Sequence, residues 1–450
     1  MIATSGLRWD LEAIAATVGG SVFGTTPIPI TAVEIDSRRV APGSLFVALP
    51  GARVDGHDFV DDALAAGAAA AIVRKGAGTT AVPRIEVGDT IVALRDLAAL
   101  RRRELPVPTI AVTGSTGKTS TKELIAAIVA GSWASPRSFN NEIGLPLTVL
   151  AAPDDATALV LEVGSRGAGH IRWLLPAAVP DVAVITNIGL VHLETFGTQA
   201  DLVAAKWELV EGLGDGGVAV LPAGDPRLAG RYAGRTVTFG SEAGADVRVG
   251  DLSLDDVARP RFTLDVGGRR RSVRLRLAGA HHAINAAAAA AAVVASGLPI
   301  DLDAIVAGLE SAVGQQWRMQ VHQGRFVVVN DAYNANPTST ESALRSVAAM
   351  GTGRVAVLGE MAELGPVAER EHRRIGRLVA ELGYRTLIAV GDVHGMDRAA
   401  GGIAIPVPDA DAAFAAAVDV LAPGDVVLVK ASRSVGLERL ADRLVEEATA

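Results

Sequence analysis

The fold of this chain is indicated first by the stretch Thr113-Gly114-Ser115-Thr116-Gly117-Lys118-Thr119-Ser120. It follows an apolar run at 109–113 that predicts a buried strand, and it opens a helical segment at about 118–130. Glycines in such a turn let backbone amides curl around phosphate oxygens, and the helix N-terminus adds its positive dipole end. Because a standard P-loop has glycine where this chain has Val112, the stretch is a shortened P-loop, Gly-x-x-Gly-Lys-Thr.

Lysine is scarce in this chain and accounts for only five of its 42 basic residues, Lys75, Lys118, Lys122, Lys206 and Lys430. Where either cation would serve, the chain nearly always carries arginine. A retained lysine therefore indicates chemistry that a guanidinium cannot perform. Lys118 lies in the shortened P-loop, whereas for Lys75 and Lys122 we predict no more than a surface or helix placement.

The shortened P-loop predicts an ATP site that also holds Mg²⁺. Lys118 would contact the β- and γ-phosphates, and the Thr119 hydroxyl would ligate the metal. A glycine-rich turn with an incidental lysine is the structural alternative, which the scarcity of lysine disfavours. The residues of this stretch that we assign to ATP are Thr113, Gly114, Ser115, Thr116, Gly117, Lys118, Thr119 and Ser120.

Composition excludes several classes of protein. A chain of 450 residues that is 49% hydrophobic and 20% charged is not disordered. Its net charge of −8 argues against nucleic-acid partners and polybasic membrane binding, and the absence of cysteine excludes a disulfide scaffold and a zinc ribbon. We find no signal-peptide pattern, and the alanine-rich tract 286–295 is shorter than the ~20 residues of a membrane span. We therefore expect a cytoplasmic protein without membrane insertion.

Two seams divide the chain into three predicted α/β domains. The basic, proline-bearing stretch 101–108 is typical of a linker, and a second boundary lies near 314–318. We predict a small α/β domain at 1–105, a central P-loop domain with a parallel sheet at 106–315, and a C-terminal Rossmann-like domain at 316–450.

Apolar runs predict the strands of the last two domains. Strands and helices alternate in both, as in doubly wound sheets, where ligands bind at the carboxyl ends of strands. Alternating polarity between 237 and 277 adds an antiparallel appendage to the central domain. The predicted strands are 109–113, 159–163 and 182–186 in the central domain, and 326–329, 355–358, 387–390 and 426–429 in the C-terminal domain.

Three residues of the central domain are candidate metal ligands. Glu162 closes an apolar strand, where it could bind a cation at the top of the sheet, although a strand-end acid in water is the alternative. His192 follows the next strand, and a lone histidine there is more often structural. Lys206 lies in an amphipathic helix. Its neutral amine could take up CO₂ to become a carbamate, an oxygen ligand that arginine cannot form, with a solvated lysine as the alternative.

Strand ends of the other domains supply further candidates. Asp331 could accept hydrogen bonds from ribose hydroxyls, and Lys430 could contact anionic groups. Asn336 precedes Pro337, which also fits a helix N-cap with proline at the first helical position. In the N-terminal domain, polar residues at 36–40 and 55–59 could hold a polar ligand, although simple turns are the better-supported interpretation.

Together these features resemble the Mur ligases, the ATP-dependent amide-forming enzymes of peptidoglycan precursor synthesis. The resemblance spans the chain from Asp36-Ser37-Arg38 to Lys430-Ala431-Ser432-Arg433. Members that select diaminopimelate typically carry Asp-Asn-Pro-Arg, which this sequence lacks. The motifs that carry the resemblance most specifically are Asn-Asn-Glu-Ile-Gly-Leu-Pro-Leu-Thr at 140–148, His-Leu-Glu-Thr-Phe-Gly at 192–197, Tyr-Asn-Ala-Asn-Pro at 333–337 and Gly-Glu-Met-Ala-Glu-Leu-Gly at 359–365.

The resemblance implies a role for each matching residue. Thr119 and Glu162 would hold one Mg²⁺, while His192 and a carbamylated Lys206 would help to hold a second. The implied catalytic residues are Lys118, Lys206, His192 and Glu162. The implied contacts are Asn285 near the adenine, Arg318 and Asp331 to phosphate and ribose, Ser37, Arg38, Phe46, His57, Asn140 and Asn141 to the UDP-linked substrate, and Tyr333, Asn334, Asn336, Lys430, Ser432 and Arg433 as late-domain or acceptor contacts.

The reaction implied by the resemblance joins the amine of D-alanyl-D-alanine to the terminal carboxylate of UDP-N-acetylmuramoyl-tripeptide, with an acyl phosphate as intermediate. We expect a monomer whose domains close when ATP and the UDP substrate bind. Two alternatives stay open, a sister ligase with another amine donor and a P-loop switch without ligation. A dehydrogenase is disfavoured, because no Gly-x-Gly-x-x-Gly follows the first strand of either α/β region.

Overall fold

Three β-sheets, each covered by helices, succeed one another along the chain in the computed structural model of the protein. The structure describes residues 6–51, 53–189, 196–351 and 353–449. This architecture confirms the predicted α/β class. None of the helices in these ranges combines the length and the apolar composition of a bilayer-spanning segment.

The first sheet has five strands in the order β1-β5-β4-β3-β2, parallel except for β1. Short apolar runs form its central strands, which are buried between helices on both faces. Its strands are Ser21–Phe23 (β1), Ala32–Glu34 (β2), Ser44–Val47 (β3), Ala70–Arg74 (β4) and Arg84–Val87 (β5), and its helices are Leu11–Val18, Val60–Ala65 and Thr90–Glu104.

The helix Thr90–Glu104 covers the first half of the predicted linker and docks against helices of the next domain. It packs against the helices Gly144–Leu150 and His170–Ala178. Arg101 is 3% exposed and donates to the Ala152 carbonyl at 2.7 Å. The basic residues therefore anchor a helix, and the irregular connection shrinks to residues 105–108.

The second sheet has nine strands in the order β14-β13-β12-β11-β10-β9-β6-β8-β7. The predicted buried parallel strands β6, β8 and β9 are confirmed. The antiparallel appendage comprises β12 to β14, whereas β11 pairs in parallel with both neighbours, so the prediction was wrong for β11. The strands are Thr109–Thr113 (β6), Trp133–Ala134 (β7), Leu159–Glu162 (β8), Val182–Ile185 (β9), Val218–Pro222 (β10), Arg235–Gly240 (β11), Val247–Leu254 (β12), Pro260–Val266 (β13) and Arg269–Arg274 (β14).

Successive residues of a strand point to opposite faces, so the two faces of this sheet carry separate cores. Ile110 and Val112 face the P-loop helix and the alanine-rich helix, while Ala111 faces the other layer. Small alanine side chains let the alanine-rich helix lie close to the sheet, and they are almost fully buried there. The helices are Lys118–Ile128, Gly144–Leu150, His170–Ala178, Gln199–Glu211, His281–Ser296 and Leu302–Ser311.

The third sheet has six strands in the order β15-β16-β20-β17-β18-β19, parallel except for β15. Because β20 returns between β16 and β17, their carboxyl ends meet at one edge, the usual ligand position of such sheets. The strands are Gln320–His322 (β15), Val327–Asn330 (β16), Arg354–Leu358 (β17), Thr386–Val390 (β18), Ala404–Val407 (β19) and Val426–Lys430 (β20), and the helices are Pro337–Ala348, Ala368–Glu381, Met396–Ala400, Ala410–Val420 and Glu438–Thr449.

Candidate active site

The shortened P-loop joins the end of β6 to its helix in a conformation that requires glycine. Gly114 and Gly117 have φ of +146° and +78°, and a Cβ atom at Gly114 would lie 1.9 Å from the hydroxyl oxygen of Thr186. Asn187, just after β9, accepts from the Thr116 amide at 2.9 Å and thereby holds the loop from the side. Sequence and geometry agree on a phosphate-binding turn.

Lys118 begins the helix and folds back over the loop. Its ammonium group donates to the Gly114 carbonyl at 2.7 Å. Burial lowers the pKa of this ammonium, and the nearby Glu162 carboxylate acts in the opposite direction. Asn285 lies beside the loop, because a Cβ at Gly117 would meet its amide oxygen at 2.5 Å, and its buried amide nitrogen has no partner among the described residues.

Glu162 ends β8 opposite Val112 and is 1% exposed. One carboxylate oxygen accepts from the Asn140 side chain at 2.7 Å, while the other is buried without a partner among the described residues. A buried carboxylate oxygen without a hydrogen bond is costly, and a cation would satisfy it. The side chain of Glu162 and the hydroxyl of Thr119 line the same cavity, so the donor set fits Mg²⁺, which binds through few protein oxygens together with phosphates.

No cluster of three or more histidine, cysteine or acidic side chains suited to a metal is present in residues 6–51, 53–189, 196–351 and 353–449. His192 lies outside the described residues, so its predicted pairing with Lys206 is not visible. Lys206 itself is 1% exposed, with its ammonium 5.8 Å from the centre of the Phe196 ring. Burial first, and then the charge of Lys118, lower its pKa well below the usual value. Burial therefore makes loss of the ammonium proton easier at this position than in water.

A positively charged side chain of the C-terminal domain, that of Arg318, contacts the P-loop. Arg318 donates to the Thr119 hydroxyl at 3.1 Å, and its guanidinium lies 3.9 Å from the centre of the Tyr333 ring. Tyr333 in turn donates to the Ser138 hydroxyl at 2.8 Å. Arg318, which we predicted to contact the nucleotide, thus lies beside Thr119 of the P-loop.

Asp331 and Lys430 form an ion pair at the meeting point of β16 and β20, with 2.6 Å between the atoms. The other carboxylate oxygen of Asp331 accepts from the Met319 amide at 3.1 Å, and Lys430 also donates to the Asn334 carbonyl at 2.8 Å. Both side chains line the cavity but already have protein partners. Their contacts to ribose or to anionic groups would add to these bonds.

The remaining late-domain residues combine cavity positions with structural contacts. Asn336 caps the helix Pro337–Ala348 in a capping box with Ser339, as the alternative interpretation predicted. Ser432 accepts from the Ala362 amide at 2.8 Å. Arg433 stacks on Trp317 at 4.6 Å and pairs with Glu438.

Most of the side chains described above line one cavity of about 720 Å³, which lies between the central and C-terminal domains. Several of its lining residues were not predicted, notably Ser138, Arg166 and His170. His170 contacts Glu142 at 3.0 Å, and burial lowers its pKa. The predicted residues that line the cavity are Ser115, Thr116, Gly117, Lys118, Thr119, Ser120, Asn140, Asn141, Glu162, Lys206, Asn285, Arg318, Asp331, Tyr333, Asn334, Asn336, Lys430, Ser432 and Arg433.

The predicted residues of the N-terminal domain are not among those that line this cavity. Ser37 and Arg38 lie in a short 3-10 turn, where Arg38 forms a two-bond ion pair with Asp36 and lowers the pKa of that carboxyl to about 2. Both ring nitrogens of His57 have protein partners, and Phe46 is 1% exposed in the domain core. These contacts favour the turn interpretation for His57 and a packing role for Phe46.

Three family models match successive parts of the chain. Residues 29–104 match the Mur ligase family, catalytic domain, residues 112–293 match the Mur ligase middle domain, and residues 317–433 match the Mur ligase, glutamate ligase domain. This chain belongs to the Mur ligase family. The resemblance inferred from the motifs is therefore confirmed, and so is the three-domain organisation of its fold.

The similarity to individual Mur ligases covers nearly the whole chain. UDP-N-acetylmuramoyl-tripeptide–D-alanyl-D-alanine ligase of Mycobacterium tuberculosis (strain ATCC 25618 / H37Rv) is 38% identical over 97% of each protein. The crystal structure of MurF from Acinetobacter baumannii has a TM-score of 0.91 at 30% identity and covers 98% of this chain and 99% of that one. MurF from Thermotoga maritima in complex with ADP has a TM-score of 0.84 at 28% identity and covers 93% and 98%.

Proposed function

We propose that the chain is an ADP-forming ligase that joins D-alanyl-D-alanine to UDP-N-acetylmuramoyl-tripeptide in peptidoglycan precursor synthesis. The observation that carries the proposal is the meeting of Lys118, Glu162 and Arg318 around one cavity in a Mur ligase fold. Relatives with that ligase name match nearly the full length, which supports this step over its sister reactions.

The proposed reaction has two steps. The terminal carboxylate of the tripeptide attacks the γ-phosphorus of ATP, the bond to the β–γ bridging oxygen breaks, and an acyl phosphate and ADP form. The amine of D-alanyl-D-alanine then attacks the acyl carbonyl, loses a proton, and expels inorganic phosphate. Lys118 and Arg318 neutralise charge on the transferred phosphoryl group, and the enclosed cavity orients the two reacting groups.

Mg²⁺ fits the same site, and when bound it would neutralise charge on the ATP phosphates. Thr119 and Glu162 would hold one ion, as the partnerless oxygen of Glu162 suggests. For a second ion, we propose His192 and carbamylated Lys206, a role supported for Lys206 by its burial and lowered pKa. Asn285 would face the adenine, and Asp331 the ribose.

The other assignments are proposals of the same kind. Asn140 and Asn141 line the cavity beside Glu162 and would face the UDP-linked substrate. Ser37 and Arg38 would face the UDP group from the N-terminal domain. Tyr333, Asn334, Asn336, Lys430, Ser432 and Arg433 would form the acceptor side. We also propose domain limits of 1–105, 106–315 and 316–450. We propose in addition that the protein is a monomer and that it is located in the cytoplasm.

The deciding experiment is ADP release with UDP-N-acetylmuramoyl-tripeptide, with D-alanyl-D-alanine or single amino acids as the amine. We expect turnover with the dipeptide alone. Turnover with an amino acid instead would assign the chain to a sister ligase step. ATP binding without turnover for any amine would favour a nucleotide switch.

A further inference from the structure

Lys122 is a buried cation that the proposed reaction does not use. It lies one helical turn after Lys118 and is 0% exposed. Its ammonium donates to the carbonyls of Ser135 and Arg137 at 2.5 and 2.8 Å, and it pairs with Glu123 at 2.5 Å. The ammonium group thus makes two hydrogen bonds to backbone carbonyls and one ion pair.

The two carbonyls belong to segment 135–140, which follows β7 and crosses the P-loop helix. Arg137 has φ of +49°, a left-handed conformation that is uncommon outside glycine, so the bond to its carbonyl helps to hold a strained turn. The Ser135 hydroxyl accepts from the Glu162 amide at 3.0 Å. The segment is thereby tied to the P-loop helix on one side and to the end of β8 on the other.

Segment 135–140 presents two side chains to the cavity. The Ser138 hydroxyl lies 3.5 Å from that of Thr119 and accepts from Tyr333 at 2.8 Å. Asn140 donates to Glu162 at 2.7 Å and so orients the carboxylate. Segment 135–140 therefore contacts Thr119 of the P-loop, the candidate metal ligand Glu162 and Tyr333 of the C-terminal domain.

We propose that Lys122 is a positioning residue, which holds the carbonyls of Ser135 and Arg137 so that Ser138 and Asn140 stand correctly in the active site. An apolar side chain of similar length would fill the space but would leave two carbonyls without donors. Most basic residues of the chain are arginines, but a planar guanidinium cannot contact both carbonyls and the Glu123 carboxylate from a single nitrogen atom. The inference rests on the proposed function and adds to it a residue outside the cavity lining.

The test compares Lys122→Met, Ser138→Ala and the double variant, with Lys75→Met as a matched loss of an exposed lysine. For Lys122→Met we expect kcat for ADP release to fall by roughly 10- to 100-fold, while the Kd of ATP changes little, since Lys118 and the loop glycines remain. Ser138→Ala should also lower kcat. If Lys122 acts through the segment, the double variant should be no slower than Lys122→Met. Lys75→Met should keep the wild-type kcat.

Each outcome bears on the proposal. Wild-type kcat in folded Lys122→Met would overturn it, as would a double variant whose loss equals the product of the single losses. If Lys122→Met fails to fold in a thermal melt, Ser138→Ala decides, because wild-type kcat in that variant would overturn the proposal. Absence of turnover in the wild-type protein itself would instead overturn the proposed function.

Discussion

Among single residues, Lys206 shows how burial changes the pKa of an amine. A lysine held in a low-dielectric site favours its neutral form, and the neighbouring Lys118 adds to this effect. A neutral amine is the form that adds to CO₂, so burial prepares the residue for carbamate formation. Scarcity of lysine in the sequence pointed to this position, and carbamate formation there stays a proposal.

We expect Lys206→Ala to lower kcat by two or more orders of magnitude, because a ligand to the phosphoryl-transfer site is lost. A short carboxylate such as acetate or propionate should restore part of the activity by standing in for the carbamate. Lys206→Arg provides the matched control, since it keeps the positive charge but cannot be carbamylated. Full activity in Lys206→Arg would contradict the carbamate.

At the level of helices and turns, the caps explain why several motif residues occur where they do. Asn336 accepts from the Ser339 amide at 2.9 Å, and Pro337 occupies the first helical position. A residue can thus belong to a motif for a structural reason and still line the active site. The helix Pro337–Ala348 also contacts the central domain, where the Ser342 hydroxyl lies 2.9 Å from Nδ1 of His281.

For the cap, we expect Asn336→Ala to lower the free energy of unfolding of the C-terminal domain by about 1 kcal/mol. Asn336→Asp should retain most of the stability, since a carboxylate can accept the same amide hydrogen. Urea denaturation of the two variants and the wild type would measure the difference. Equal midpoints for Asn336→Ala and the wild type would mean that the capping box contributes nothing.

In the molecule as a whole, hydrogen bonds across the cavity join the central and C-terminal domains. Arg318 reaches Thr119, and Tyr333 reaches Ser138, although each pair is separated by more than 190 residues in sequence. Such contacts between domains are the type that forms and breaks during hinge closure. Closure on binding ATP and the UDP substrate stays a prediction, and these contacts are the ones that we expect it to change.

Small-angle scattering should therefore show a smaller radius of gyration when ATP and UDP-N-acetylmuramoyl-tripeptide are both added. Arg318→Ala should reduce this compaction, because it removes the bond to the P-loop and the stacking on Tyr333. Lys75→Met, on an exposed turn of the N-terminal domain, should compact like the wild type. An unliganded protein as compact as the liganded one would argue against closure.

Stability should also depend on pH through the histidines at the start of the alanine-rich helix. Burial lowers the pKa of His281 from 6.5 to about 4, and that of His282 well below its usual value. Below pH 6.5, the unfolded chain binds protons that the folded chain does not, so the stability present above pH 6.5 is lost as the pH falls towards 4. The contribution of His281 is at most about 3 kcal/mol.

His281→Gln should flatten this dependence while keeping a polar partner for Ser342. The measurement is the free energy of unfolding at several pH values between 4 and 7 for both proteins. Identical slopes in the two proteins would exclude His281 as a source of the acid lability.

Local patterns were sufficient for most of the strands and helices and for the shortened P-loop. Strand β6 has the predicted bounds, because an apolar run is a property of a short segment. The predictions that failed concern pairing and docking. The sequence does not show that β11 pairs in parallel, nor that Arg101 in the basic end of the helix Thr90–Glu104 is buried.

Sequence alone identified the P-loop, the strand-end Glu162 and the unusual lysines, since each depends on residue type and nearby chain. Tertiary structure revealed that Lys122 is fully buried against segment 135–140, that Asp331 is already paired with Lys430, and that Phe46 lies inside its domain. These facts depend on contacts between distant parts of the chain. Packing of whole elements sets such contacts, and a local pattern carries no record of them.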